Sequence, residues 1–315
     1  MTPSAAVAPT TSSRVRVGWI VAFVSTLCFS FATPLVRAAV LIGLNPSTVL
    51  VLRLSITAVM LFVTLLIGEP AQLRMDRKGL LWCALAGLAN GVGMLSYFWS
   101  LTFINSSIAS MIWSLSPLFT LAMLALRGER FTYRHAARLA LGLGGVYLLI
   151  GPGGQVNLIG AALVAVSLLA VPLQIVITQW HLNHYDSRAA TLYMVVTMAV
   201  VTAGYWFATG AEWHDPGLNG WALIIALVVV TTYLARLLLF TAIARIGGAQ
   251  VSLLAPLETL LTVIWSMLFL SERLTLTQWA GGALILISAV LAVNRLGRVG
   301  WRRLITKTQR REDTK

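Results

Sequence analysis

The sequence contains few charged residues, and acidic residues are the scarcest of them. Of its 315 residues, 10% are charged and 58% are hydrophobic, and Asp and Glu together number 10 against 23 Lys and Arg. A soluble domain of this length carries about 25% charged residues. The mean hydropathy of +0.84 therefore predicts a membrane protein and leaves no room for a large soluble domain.

Cysteines and catalytic motifs are also scarce. Cys28 and Cys83 lie in apolar runs without the spacing of metal ligands, and we interpret them as buried thiols. The sequence has no His-Glu-x-x-His or Gly-x-Ser-x-Gly motif, and its long apolar runs contain no aspartate or histidine. These absences argue against an intramembrane enzyme, so we predict no catalytic residue and no cofactor.

One short segment resembles a metal-binding motif. It consists of His181, His184 and the nearby Asp186, a spacing that zinc sites also use. Because no further ligand lies close in the sequence, we interpret the segment as a solvated loop and predict no metal.

Ten apolar runs are long enough to be membrane spans, since about 20 apolar residues cross a bilayer as a helix. Their length and the missing period-2 alternation favour helices over strands. The first run is too long for a cleaved signal peptide, so we interpret it as an uncleaved span. The runs are 17–41, 46–67, 79–103, 107–126, 136–151, 157–180, 189–208, 219–244, 249–270 and 275–294.

The chain repeats itself once at a shift of 142 residues. Each half contains five predicted spans, and because five is odd, the second half must enter the bilayer from the opposite side. We therefore predict an all-α membrane protein with ten transmembrane helices in two inverted five-helix repeats. The matching pairs include Gly18/Gly160, Ser25/Ser167, Gly68/Gly210, Phe98/Phe240, Ile104/Ile246, Ser110/Ser252 and Thr120/Thr262.

The basic residues predict the orientation of the chain, because short cytoplasmic loops are enriched in Lys and Arg. With the N-terminus in the cytoplasm, nineteen of the 23 basic residues lie inside, and both termini are cytoplasmic. We place the protein in the cell (inner) membrane and attribute its basic excess to topology and anionic lipid, not to nucleic acid. The predicted units are an N-terminal arm (1–16), two repeats (17–151 and 157–294) and a basic tail (295–315).

Two duplicated motifs carry a family resemblance. Ser116-Pro117-Leu118-Phe119-Thr120 precedes Gly128-Glu129-Arg130 in the first half, and Ala255-Pro256-Leu257-Glu258 precedes Ser271-Glu272-Arg273 in the second. Together with Pro46 and Arg53, this pattern resembles the drug/metabolite transporter superfamily, specifically its EamA-type ten-span members. The resemblance implies export or exchange of small metabolites through a cavity between the halves. Arg138 and Thr259 depart from the usual pattern, which carries glycine and proline there.

Prolines lie inside spans that correspond between the two halves. Pro34 and Pro172 lie in spans 1 and 6, and Pro117 and Pro256 lie in spans 4 and 9. Interrupted helices at corresponding positions mark the binding site of many transporters. We predict that all four breaks line a cavity, although simple kinks are common in membrane helices.

Glu258 is the one acidic residue within a predicted span. A charge there costs about 2.5–3.5 kcal/mol and needs a partner. Counting from the turn at Gly247, Arg236 in span 8 and Glu258 in span 9 lie at equal depth on adjacent helices, at about 1.5 Å per residue. We predict that they form a pair in a substrate or proton site, with a structural ion pair as the alternative.

Further cationic, polar and aromatic side chains lie on the same predicted helices. Arg37 and Arg53 are candidates for a positive vestibule, with snorkelling as the alternative for Arg37. The remaining candidates for the substrate site are Tyr97, Asn90, Trp113, Gln174, Tyr233 and Trp265. Such a lining suits amino-acid-like or amphipathic solutes, although helix packing also produces polar stripes.

The function predicted from these features is secondary transport of small organic metabolites by alternating access, with protons as a possible coupling ion. The alternatives are an intramembrane enzyme and a solute channel, and the latter more often forms by oligomerisation around a charged pore. Monomer and homodimer both remain open. Gly142, Gly144 and Gly145 in span 5 resemble a small-residue motif. Such a motif either packs helices within one chain or forms a dimer contact.

Overall fold

A computed structural model describes residues 11–68, 75–125, 133–150, 156–182, 185–246, 248–251 and 254–291. Within these ranges the chain is helical and contains no strand. This confirms the predicted all-α class. The tail 295–315, the first Glu-Arg turn and His184 lie outside the described residues.

The helices follow one another with short connections. They are α1 (Thr11–Ser30), α2 (Ala32–Leu41), α3 (Pro46–Gly68), α4 (Arg77–Phe103), α5 (Ser106–Trp113), α6 (Ser116–Ala125), α7 (Tyr133–Ile150), α8 (Leu158–His181), α9 (Ser187–Ala208), α10 (Gly217–Val228), a π-helical segment (Val229–Leu234), α11 (Ala235–Ile246), α12 (Gly248–Val251), α13 (Ala255–Leu270) and α14 (Leu276–Leu291).

Seven helical stretches among the described residues are long and apolar enough to cross a membrane. They are Val15–Leu41, Pro46–Gly68, Arg77–Phe103, Ser106–Ala125, Leu158–His181, Ser187–Ala208 and Gly217–Ile243. Three shorter apolar helices cover Ala137–Ile150, Ala255–Leu270 and Leu276–Leu291. The chain is therefore a multi-pass membrane protein.

Polar side chains begin several of the long helices. Asp76 accepts a hydrogen bond of 2.9 Å from the Gly79 amide at the start of α4. Asn157 and Asp186 cap α8 and α9 in the same way. A side-chain oxygen at the N-cap position satisfies an amide that would otherwise have no partner, which explains why the helices begin at these residues.

Three of the predicted spans contain a helix break or a new helix start. The first breaks at Phe31 between α1 and α2, the fourth breaks between α5 and α6, and in the ninth a new helix, α13, begins at Ala255 after the N-cap residue Leu254. Each break lies just before Pro34, Pro117 or Pro256, because proline cannot donate the backbone hydrogen bond that the preceding turn needs. Pro172 differs, since it lies inside the continuous helix α8.

Helix pairs pack through glycines at positions related by the sequence repeat. Gly18 of α1 lies directly against Ile246 of α11, and Gly160 of α8 lies directly against Ile104 at the end of α4. At both contacts a side chain in place of the glycine hydrogen would overlap its neighbour. These two helix pairs flank a buried apolar core that includes Phe98, to which α2 to α8 contribute most of the side chains.

Candidate functional site

A cavity of about 170 Å³ lies in the interior of the helix bundle. We call it the central cavity. Both halves of the sequence contribute to its wall. The lining residues are Phe29, Ala32, Thr33, Val36, Arg53, Met94, Tyr97, Phe98, Ser110, Trp113, Thr231, Arg236, Glu258, Thr259 and Thr262.

Two arginines and one glutamate are the charged groups in this wall. Arg53 donates from Nε to the Thr232 hydroxyl at 3.0 Å, and its guanidinium lies 5.7 Å from the centre of the Phe98 ring. These contacts hold the guanidinium in place while leaving its terminal N–H groups without a hydrogen bond within the part of the chain that the structure describes. The wall therefore presents an excess of one positive charge.

The pairing of Arg236 with Glu258 stays a prediction. Both residues line the central cavity, and within the described ranges no ion pair joins their side chains directly. The prediction assumed regular helices on both sides of the turn. Arg236 follows a π-helical segment, so a constant rise per residue does not apply on that side.

The break before α13 explains the position of Glu258. This residue lies in the first turn of a 16-residue helix whose N-cap, Leu254, provides no capping side chain. Helix N-termini carry about half a positive charge, which favours an acidic side chain there. The interruption thus places a helix N-terminus, and with it a carboxylate, inside the bundle.

A second cavity of about 170 Å³ adjoins the central cavity. The two cavities share Trp113, Glu258 and Thr259. The second cavity lies where the two interrupted spans meet, between the starts of α6 and α13. Its described lining residues are Trp113, Ser114, Ser116, Pro117, Ala255, Pro256, Glu258, Thr259 and Ala289.

Aromatic and hydroxyl groups form much of the remaining wall of the central cavity. The Tyr97 hydroxyl lies 3.2 Å from the hydroxyl of Thr33, and the Tyr97 ring packs against Trp113 with 5.1 Å between ring centres. Thr262 donates to the Ser30 carbonyl at 3.0 Å, which fastens α13 to the break in the first span. The wall thus combines apolar surface with anchored polar groups.

Of the ten side chains predicted for the substrate site, five line the central cavity. The five are Glu258, Arg236, Arg53, Tyr97 and Trp113. Pro117 and Pro256 line the second cavity. The other two predicted helix breaks, Pro34 and Pro172, are buried but are not among the lining residues of either cavity.

The other five predicted side chains point elsewhere. Arg37 donates to the Leu101 carbonyl, Trp265 donates to the Ser30 hydroxyl at 2.9 Å, and Gln174 donates to the Thr178 hydroxyl at 3.0 Å. Neither Asn90 nor Tyr233 belongs to the two cavity walls. The spacing of polar residues along one helix did not distinguish the cavity from these contacts between and within helices.

The sequence did not predict that several threonines line the cavity. Thr231, Thr259 and Thr262 all line the central cavity. The only available signal was their position near Arg236 and Glu258, and threonine is common in membrane helices for other reasons.

Glu272 is a second buried acidic residue that the sequence placed in an outer loop. Its carboxylate accepts hydrogen bonds from the backbone amides of Ser106 and Ser107, at 2.8 and 3.0 Å, and from both their hydroxyls. It therefore caps the N-terminus of α5 from a distant part of the chain. The Ser-Glu-Arg motif contributes to packing between the halves at this point.

Similarity to known proteins agrees with the bundle and its internal cavity. A family model described as the EamA-like transporter family matches the chain over residues 16–151 and 158–294. The chain therefore belongs to the EamA-like transporter family, which confirms the resemblance found in the sequence.

Individual relatives extend the similarity over most of the chain. The uncharacterized transporter YcbK of Bacillus subtilis is 25% identical over 293 residues, which are 85% of this chain and 91% of that protein. The pseudopaline exporter CntI of Pseudomonas aeruginosa is 22% identical over 88% of this chain and 95% of its own. A solved crystal structure with 18% identity and a TM-score of 0.62, covering 91% of this chain and 99% of that chain, shows the same fold. These names indicate a transporter and not an enzyme.

Proposed function

We propose that the chain is a secondary transporter that moves small organic metabolites across the cell (inner) membrane by alternating access. The observation that carries this proposal is the central cavity, whose charged wall comes from both halves of the chain. A buried site between two similar bundles is what a rocking mechanism requires. The proposed arrangement has ten spans in two inverted repeats, 17–151 and 157–294, with both termini in the cytoplasm.

Two glycine contacts support the inverted repeat. Gly18 packs against Ile246, and Gly160 packs against Ile104. Gly160 lies 142 positions after Gly18, and Ile246 lies 142 positions after Ile104. The same contact thus recurs with the two halves exchanged, as expected for repeats related by a pseudo-twofold axis.

The charges of the central cavity support a substrate that carries a carboxylate. Arg53 and Arg236 both line the wall, and like charges in a poorly solvated site repel each other. An anionic group of the substrate offsets that repulsion, while an ammonium group complements Glu258. The aromatic wall formed by Tyr97 and Trp113 suits an apolar portion, so amino-acid-like zwitterions fit the site best.

Export is the proposed direction, and protons are the proposed coupling ion. The direction is supported by the relative named as a pseudopaline exporter. Coupling is supported by Glu258, a carboxylate inside the bundle that lines both cavities and that can alternate between proton and substrate.

The decisive experiment measures solute flux in proteoliposomes with Glu258→Gln. We expect the variant to insert normally but to lose transport, because glutamine keeps the shape of the side chain without its charge or its titratable proton. Glu212→Gln is the matched control, since Glu212 has a largely exposed side chain in a loop. Labelled amino acids, their decarboxylated amines and their desamino acids are compared with and without a pH gradient.

A wild-type rate in Glu258→Gln would contradict the assignment of the site. Flux that rises linearly with concentration and shows no counter-transport would instead favour a channel.

A further inference from the structure

The second cavity carries one charged group, and that group has no partner. Glu258 makes no ion pair and no side-chain hydrogen bond within the described part of the chain. None of the described residues lining this cavity is basic, whereas the central cavity contains two arginines. The half charge of the α13 N-terminus offsets only part of a full negative charge.

Two hydroxyls beside Glu258 are also without partners. Ser116 and Thr259 line the second cavity, and each is 8% exposed. In the described ranges, neither side-chain hydroxyl makes a hydrogen bond, although Ser114 in the same wall donates to the Met111 carbonyl at 2.7 Å. Because neither hydroxyl oxygen is occupied by a protein donor or acceptor in these ranges, both are free to bind a ligand in the cavity.

The interrupted helix leaves one carbonyl without its usual donor. Residue 117 is a proline and cannot donate to the carbonyl of Trp113, four residues earlier, as a regular helix would require. Trp113 also lines the second cavity, and the face of an indole ring attracts cations. Carboxylate and hydroxyl oxygens beside an indole ring form a donor set for a hard cation or an ammonium group.

We infer that the second cavity is a binding site for a small monovalent cation, held by Glu258, Ser116 and Thr259. The cation is either a free ion such as Na⁺ or the ammonium end of a substrate whose carboxylate lies in the central cavity. Both sources share the same chemistry, because each brings one positive charge to oxygen ligands. Only the second source rests on the proposed function; the binding itself does not require transport.

The test measures the melting temperature of the purified protein in detergent at constant ionic strength. Choline chloride is replaced stepwise by NaCl in one series and by methylammonium chloride in another. Ligand that binds the folded state raises the melting temperature in a saturable way, and we expect a rise of at least about 2 °C. Choline carries the same charge but presents only methylated nitrogen to the oxygen ligands, and it serves as the reference.

Substitutions then assign the response to the site. Ser116→Ala and Thr259→Val each remove one ligand and should at least halve the shift, while Glu258→Gln should abolish it. Ser96→Ala is the matched control, because the Ser96 hydroxyl donates to the Val92 carbonyl at 2.9 Å and lines neither cavity, so it should respond as the wild type does.

The outcomes separate the two sources of the cation. A response to Na⁺ alone indicates a free ion, a response to methylammonium alone indicates a substrate ammonium, and a response to both indicates a site that accepts either. The inference is overturned by the absence of a saturable response, or by an equal response in Ser116→Ala, Thr259→Val and the wild type. A wild-type protein that shows this response but transports none of the solutes would count against the proposed function and not against the cation site.

Discussion

The two arginines predicted for the vestibule differ in what their guanidinium groups contact. Arg53 lines the central cavity and is oriented by Thr232 and Phe98. Arg37 is half-buried and donates to the Leu101 carbonyl, away from the residues that line the two cavities. Of these two arginines, only Arg53 lies in the wall of the proposed substrate site.

Replacing Arg53 with alanine is expected to weaken transport of carboxylate-bearing solutes. A hydrogen bond to a charged group contributes about 1.5–3 kcal/mol, so the KM should rise about 10- to 100-fold, measured as initial uptake rates in proteoliposomes. Arg37→Ala is the comparison and should change KM less than about threefold. An unchanged KM in Arg53→Ala would remove this residue from the site.

Asp76 and Tyr185 form a polar contact at the edge of the bundle, outside the helical spans. The Tyr185 hydroxyl donates to the Asp76 carboxylate at 2.7 Å. This bond, and secondly the bond from the Gly79 amide, lower the pKa of Asp76 from its ordinary value of 3.8. Because the folded-state pKa is depressed, the contact stabilises the protein at pH values above about 4, and that contribution is lost as the pH falls through the folded-state value.

Tyr185→Phe should therefore lower the melting temperature at pH 7, and the difference from the wild type should shrink as the pH falls below about 4. Tyr147→Phe is a suitable control, since Tyr147 lies on α7 with 67% of its surface exposed. A difference that stays constant between pH 7 and pH 3 would show that the tyrosine acts through packing alone.

At the scale of helices, the span-5 glycines pack within one chain. A side chain at Gly145 would approach the Gly281 carbonyl oxygen of α14 to 2.7 Å, and Gly142 lies against Leu115 and Ser288. Gly144, between them, has nothing within 4 Å of the position that a side chain would take. These contacts indicate that Gly142 and Gly145 are needed for helix packing within one chain and not for a dimer.

Gly145→Ala should destabilise the protein by about 1–3 kcal/mol, the usual effect of overpacking, whereas Gly144→Ala should be neutral or slightly stabilising. Heat-induced loss of the monodisperse peak in size-exclusion chromatography measures both. If the two variants melt alike, α7 and α14 do not approach each other as closely as the structure shows.

The helices themselves follow from the sequence, but their irregularities do not. The apolar runs predicted most helix boundaries to within a few residues. The sequence does not indicate the π-helical segment at Val229–Leu234. The Thr231 and Thr232 hydroxyls both donate to the Leu227 carbonyl, but two adjacent threonines also occur in regular helices. Wider turns of this kind often occur at functional sites, and here the segment provides the Thr232 partner of Arg53.

Site residues could be predicted from the sequence when their residue type is rare in apolar spans. They could not be predicted when the residue type is common there. Glu258 stood out as the one acid in an apolar run, and it lies in both cavities. Gln174 and Trp265 had equally plausible positions on their helices, yet each bonds to a neighbouring residue instead. Single-helix spacing cannot distinguish these outcomes, because they depend on which helix packs against which.

At the scale of the whole molecule, the proposed repeat is symmetric in its backbone and asymmetric in its charges. Met94 and Ser116 precede Arg236 and Glu258 by 142 positions each, and Met94 lines the central cavity while Ser116 lines the second. Equivalent positions thus lie beside the same cavities, but only the second half is charged there. Function specific to this chain is expected at such positions, because the shared fold does not require the charges.

The inverted repeat makes a prediction about the two Glu-Arg turns, which lie at equivalent positions in the halves. In a cysteine-free background, Arg130→Cys should react only with reagent admitted to the cytoplasmic face, and Arg273→Cys only with reagent at the outer face. Asp76→Cys and Asp215→Cys serve as references for the inner and outer faces. An odd number of spans in each half requires opposite labelling of the two turns, whereas an even number requires the same labelling. Labelling of both turns from one face would remove the geometric basis for rocking two inverted halves about the central cavity.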